Sequence, residues 1–213
     1  MDPTSRATEW LKSGEILAGL LGQIARNNEG AMAALYDQTR HIVYGLVLRI
    51  LREQSAAEDT TQEIYMQIWR KAEAFDPARG SALSWIVTIS RSRALDKLRC
   101  SRAFLSHDTS RQELDAFHSL YPDPEQNSSV SERAQLVQRS LSQLPPEQRR
   151  VIEMAFFDGL TQSEIASLTA VPLGTIKTRM RSGMRRLREE LSLLDGRGTG
   201  GALRDPAAVV LVH

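Results

Sequence analysis

Leu160-Thr161-Gln162-Ser163-Glu164-Ile165, then Val171-Pro172-Leu173, then the run from Gly174 to Arg188, decide how this chain folds. Thr161 can cap a helix, Glu164 three residues later can close a capping box, and Leu160 can staple onto Ile165. The helix so begun ends around Thr169-Ala170, and Val171-Pro172-Leu173 makes a turn into a second helix from about Gly174. Two short helices across a tight turn form a helix-turn-helix. On the second helix Ile176, Met180, Gly183, Met184 and Leu187 share one side and should pack inward. Lys177, Thr178, Arg181, Ser182, Arg185 and Arg188 lie on or beside the other, and no acid occurs from Gly174 to Arg188. Surface helices ordinarily mix signs to gain ion pairs between turns. A single sign on this helix suits phosphate neutralisation and groove reading.

Upstream, Pro145-Pro146 starts another helix, where proline is tolerated in the first turn, and Asp158-Gly159 stops it. This block is expected to span 130–194, and the glycine-rich tail 195–213 to be disordered. Periodicity fades between Ser101 and Ser129, where Pro122, Pro124, Asn127 and several serines mix with Asp108, Glu113, Asp115, Asp123 and Glu125. Residues 103–129 therefore read as a flexible acidic linker, with room for a helical turn around Gln112 to Leu120.

The first block, 15–102, is helical almost throughout. Ile16, Leu17, Leu20, Leu21 and Ile24 form one stripe; Met32, Leu35, Ile42, Val43, Leu46, Val47 and Ile50 form another. Ser55 with Glu58 reads as a capping box for a third helix carrying Ile64, Tyr65, Ile68 and Trp69 inward. Phe75-Asp76-Pro77-Ala78-Arg79-Gly80 interrupts, and a fourth helix from about Ala82 to Arg99 buries Leu83, Ile86, Ile89 and Leu98. The fold class is all-α: a four-helix domain and a helix-turn-helix domain joined by the linker.

Among 213 residues, 41% are apolar, enough for a core, so wholesale disorder is excluded. The net charge of +1 carries no message about nucleic acid, which leaves the argument to local charge. Cys100 is the single cysteine, so an internal disulfide or cysteine metal cluster is excluded. Met1 to Glu9 lack a basic segment followed by an apolar run, and Ala207 to Val212 are too few to span a bilayer. A cytoplasmic protein without cofactor or small-molecule substrate is expected. His41, His107, His118 and His213 are scattered without metal-ligand spacing, and no glycine-rich phosphate loop follows a strand, which argues against catalysis.

Asp59, Gln62 and Glu63 lie three and four residues apart on one face of the third helix. By themselves they fit an ordinary solvated helix start, where acids favour the macrodipole. Arg79, Arg91, Arg93, Lys97, Arg99 and Arg102 face the lone acid Asp96, with Trp85 among them, and suggest a second contact with DNA. Taken in order, these motifs resemble the extracytoplasmic-function sigma factors of bacterial RNA polymerase. Ala57-Glu58-Asp59-Thr60-Thr61-Gln62-Glu63 resembles the family's region 2.2. Phe75 to Ser81 with Trp85 to Arg99 resembles regions 2.3 and 2.4, and Leu144 to Leu187 resembles region 4.

The resemblance implies that Asp59, Gln62 and Glu63 dock on the beta-prime clamp helices of core polymerase, with the beta subunit a further partner. It implies that Arg79, Trp85, Arg91, Ser92, Arg93, Lys97 and Arg99 capture and hold open the minus-ten element. Thr175, Lys177, Thr178, Arg179, Arg181, Ser182 and Arg185 would contact the minus-thirty-five element. The acidic linker would thread the RNA path, and an anti-sigma factor, often membrane-anchored, would clamp the two blocks. Many members carry asparagine where this chain has Ser92, a departure that bears on the preferred minus-ten base. A linker of this composition predicts two readers left uncoupled, and hence poor duplex binding by the free chain. A helix-turn-helix regulator working without core polymerase is the alternative. The all-helical first block argues against it, since a receiver-type sensor would alternate strands and helices. The two basic helices argue against a pure interaction module.

Overall fold

The computed structural model describes residues 3–105 and 141–194. Among them are seven α-helices: α1 Pro3–Ile24, α2 Glu29–Leu51, α3 Gln54–Lys71, α4 Ala82–Leu105, α5 Pro146–Phe156, α6 Gln162–Thr169 and α7 Leu173–Leu194. A 3-10 turn, Ala72–Ala74, follows α3. The expected linker beyond Leu105, the start of the second block near Val130 and the tail from 195 lie outside the described residues.

In the first four-helix unit α2 is central, packing on α1, α3 and α4. Leu17, Leu21 and Ile24 of α1 meet Leu35, Val43, Leu46, Val47 and Ile50 of α2. Ile64, Tyr65 and Ile68 of α3 and Ile86, Val87 and Leu95 of α4 close the core. Each such aliphatic side chain contributes about 1.5–3 kcal/mol on burial. Thr39 Oγ1 pairs with the Tyr65 hydroxyl at 2.7 Å while donating to the Leu35 carbonyl, so both hydroxyls are satisfied. Ile16, expected inward, is 51% exposed, and Trp69 is only half-buried.

Local signals place the helix ends. Asn28 accepts from the Ala31 N–H and starts α2. For α3 the expected Ser55–Glu58 box does not form. Glu53 is the N-cap, and its carboxylate takes both the Ser55 N–H (2.8 Å) and the Ala56 N–H (2.6 Å). Two free N–H donors at a helix start are better served by one charged, two-oxygen acceptor than by a hydroxyl. Glu58 instead accepts from Gln54 one turn earlier. Asp76 Oδ1 accepts from the Ala78 N–H in the proline-glycine loop, and Ser81 Oγ accepts from the Ser84 N–H at the start of α4.

The helix-turn-helix is α6 and α7. Thr161 accepts from the Glu164 N–H, and Glu164 returns the contact to the Thr161 N–H at 2.7 Å, closing the capping box. That bond holds the Glu164 carboxyl below its ordinary range. Ala170 takes the left-handed conformation (φ 53°) that ends α6, without help from a glycine. Val151, Met154, Ile165 and Ile176 make the unit's small core. Gly183 permits α5 and α7 to approach, since a Cβ there would lie 2.8 Å from Ile152 Cδ1 and 3.2 Å from Gln148 Cβ.

The two units are in contact, contrary to the expectation of uncoupled blocks. Phe156 and Phe157 are both buried in the cluster that holds Ile50 and Leu95. Adjacent residues on a helix diverge by about 100°, so burying both rings requires cover from two directions. The composition of a linker says nothing of this.

Candidate nucleic-acid interface

On α7 the inner stripe of Ile176, Met180, Gly183 and Leu187 fixes which side chains face water. Ile176 and Leu187 are fully buried. Thr175, Lys177, Thr178, Arg181, Arg185, Arg186 and Arg188 are exposed, while Arg179 and Ser182 are half-buried at the edge of the packed stripe. Thr178 donates to the Gly174 carbonyl at 2.9 Å. Arg185 lies 3.8 Å from Glu189, an exposed pair of small worth that leaves the guanidinium available to a phosphate. The result is one continuous cationic face on the second helix of the motif.

The basic residues of α4 divide. Ser92 and Lys97 are exposed, as is Arg79 in the preceding loop. Trp85 stands edge-on to Phe75 with ring centroids 5.8 Å apart, which holds the indole half-buried at the foot of the helix. Arg93 turns back to α3 and reaches Glu63 Oε2 through Nε (2.9 Å) and Nη2 (2.6 Å). The family resemblance assigns these two to separate sites, and the fold makes them one ion pair. Arg91 turns the other way. It donates to the Phe156 carbonyl (3.1 Å) and the Ala155 carbonyl (2.9 Å), with its guanidinium 4.5 Å above the Phe156 ring. Arg102 donates to the Asp158 carbonyl at 3.0 Å, and Arg52 pairs with the Asp158 carboxylate at 2.8 Å. Burial pushes that carboxyl above its usual range, against the pull of Arg52, Arg102 and Arg49.

On α3, Asp59 and Gln62 are exposed and Glu63 is half-exposed. One turn on, Met66 joins the same face with 56% of its surface exposed. The sequence reading passed over it, although its spacing of three and four from Glu63 and Gln62 was visible. Beside it Met32, Tyr36 and Trp69 line a shallow groove between α2 and α3.

Among the described residues no group of three or more His, Cys, Asp or Glu side chains could hold a metal ion, and no helix is long and apolar enough to cross a membrane. The family Sigma-70 region 2 matches residues 35–104, and Sigma-70, region 4 matches residues 140–189. The chain belongs to the sigma-70 family. It falls in the extracytoplasmic-function group: it is 38% identical over 182 residues to the ECF RNA polymerase sigma factor SigK of Mycolicibacterium vanbaalenii. That match spans 83% of this chain and 90% of the relative. SigK of Mycobacterium ulcerans is 40% identical over 174 residues, spanning 81% and 91%. Among solved structures, Rhodobacter sphaeroides SigE, crystallised with the anti-sigma ChrR, is 32% identical with a TM-score of 0.42, covering 78% of this chain and 95% of that one. Sigma factors are not a class of enzymes; they act in promoter-directed initiation of transcription.

Proposed function

We propose that this sigma factor docks on core RNA polymerase through the α3 face of Asp59, Gln62, Glu63 and Met66, and reads promoters with α4 and α7. The observation that carries the reading is the division of α7. A stripe of four inward residues leaves an unbroken cationic face, as groove entry by a recognition helix requires. Lys177, Thr178 and Arg181, near the helix start, are assigned to base edges. Arg185, Arg186 and Arg188 are assigned mainly to phosphates. Arg79, Trp85, Ser92, Lys97 and Arg99, with Arg91 and Arg93 once released from their present partners, line the track for the opened minus-ten strand. Such a track needs cations for the backbone and a flat ring for an unstacked base.

Family membership extends the reading to partners. Core polymerase and promoter DNA are two, and an anti-sigma protein that covers the α3 and α4 faces is the third. No step of bond chemistry is involved. Transcription in vitro from a promoter library, with purified core polymerase and this chain, tests the reading. Transcripts that require the chain, and that disappear when the neighbouring gene's product is added, are the expected result. A library transcribed equally without the chain would remove the assignment.

A further inference from the structure

We infer that Leu173, the first residue of α7, is a specificity-determining residue that packs on the methyl group of a thymine in the minus-thirty-five element. The inference rests on the reading of α7 as the recognition helix. Leu173, Lys177 and Arg181 succeed one another every fourth residue, so they lie along one slowly turning row of the helix surface. At about 1.5 Å per residue the row is about 12 Å long, a reach of roughly three to four base pairs at about 3.4 Å each. The two cations of the row are assigned to base edges. The side chain that heads it comes to the same groove, because the N-terminal residues of a recognition helix are those that meet base edges.

Leu173 is placed for that contact. It is 37% exposed, whereas Ile176 on the inner stripe is fully buried. The Pro172 carbonyl accepts from the Thr175 N–H at 2.9 Å and the Ile176 N–H at 3.1 Å, which pins the first turn of α7. Beside Leu173, a Cβ added at Gly174 would meet no other part of the fold within 4 Å. The start of α7 thus stands clear of the protein, open to a groove about 12 Å wide. Charge chooses the occupant: no acid occurs from Gly174 to Arg188, so the row suits a polyanion. Leucine has neither donor nor acceptor. Over the polar edge of adenine, guanine or cytosine it would cover a group that loses its bond to water and gains none. Thymine alone offers an apolar group in the major groove, its C5-methyl. Selection at this position is therefore for a methyl group, which the lysine and arginine of the row cannot supply.

The test replaces each thymine of the minus-thirty-five element, on either strand, by deoxyuridine, which removes the methyl group and keeps every hydrogen bond. Promoter binding by the holoenzyme is measured for the parent chain, Leu173→Ala and Leu168→Ala. Leu168, the 47% exposed leucine across the turn on α6, is the control. Deoxyuridine at one position should weaken binding by the parent and by Leu168→Ala about fourfold, the worth of one buried methyl group. Leu173→Ala should bind the thymine promoter about fourfold less tightly. It should also be indifferent to deoxyuridine at that position, the non-additivity expected of two groups in contact. Alanine favours the helix, and circular dichroism checks that it persists. No deoxyuridine penalty anywhere in the parent, or an equal penalty in Leu173→Ala, would overturn the inference. Loss of core-polymerase affinity in Leu173→Ala, with the penalty retained, would overturn it in favour of a protein contact. Failure of the parent holoenzyme to bind any promoter of the library would instead remove the reading of α7 itself.

Discussion

Replacing Asp59, Gln62 and Glu63 together by alanine should weaken binding to core polymerase by about 100-fold or more, with the helical circular-dichroism signal intact. Central residues of a protein interface commonly cost about 2 kcal/mol or more each on truncation, and each 1.4 kcal/mol is roughly a factor of ten. Asp59 and Gln62 are exposed, on the side of α3 away from the buried Thr60, Thr61 and Ile64. Glu63 does have a partner, Arg93. That pair is substantially exposed, so its loss should cost the fold about 1 kcal/mol or less. Met66→Ala should weaken polymerase binding without touching any ion pair, which separates the apolar part of the face from its charges. Unchanged affinity of the triple variant in a pull-down with core polymerase would remove this face from the account.

The second large effect separates residues on α7. Arg181→Ala should lower promoter binding by the holoenzyme by about 1–3 kcal/mol, if its fork holds a guanine edge. That corresponds to roughly 5- to 140-fold, and base preference should relax at one position of the minus-thirty-five element. Arg185→Ala should weaken all sequences alike and reduce the salt dependence by about one counterion. Its pairing with Glu189 is long and exposed, so its loss should cost the fold little. Binding across a minus-thirty-five library at several salt concentrations measures both. Equal, sequence-independent losses from the two variants would erase the division.

The helix-turn-helix was legible because its signals are local. The Thr161–Glu164 box lies within four residues, and the inward stripe of α7 repeats every three or four. Even so, Ser55 was mistaken for a cap that Glu53 supplies, because a carboxylate reaching two N–H groups outcompetes a hydroxyl and both residues stood at the boundary. The division of the α4 arginines was not legible. Arg91, Arg93 and Arg99 look alike in sequence, yet one grips α5, one pairs with α3 and one reaches the Gly159 carbonyl. Those choices depend on what tertiary packing brings opposite each residue. The burial of Phe156 and Phe157 against the first unit depends likewise on tertiary packing.

This chain is expected to open promoters only in company with core polymerase. Permanganate reactivity of thymines in the minus-ten element of a promoter recovered from the library measures opening directly. Strong reactivity with chain and core polymerase together, and none with either alone, is the result this account predicts. Tight, sequence-specific duplex binding by the free chain, with no thymine made reactive when polymerase is added, would contradict it and leave a helix-turn-helix regulator in its place.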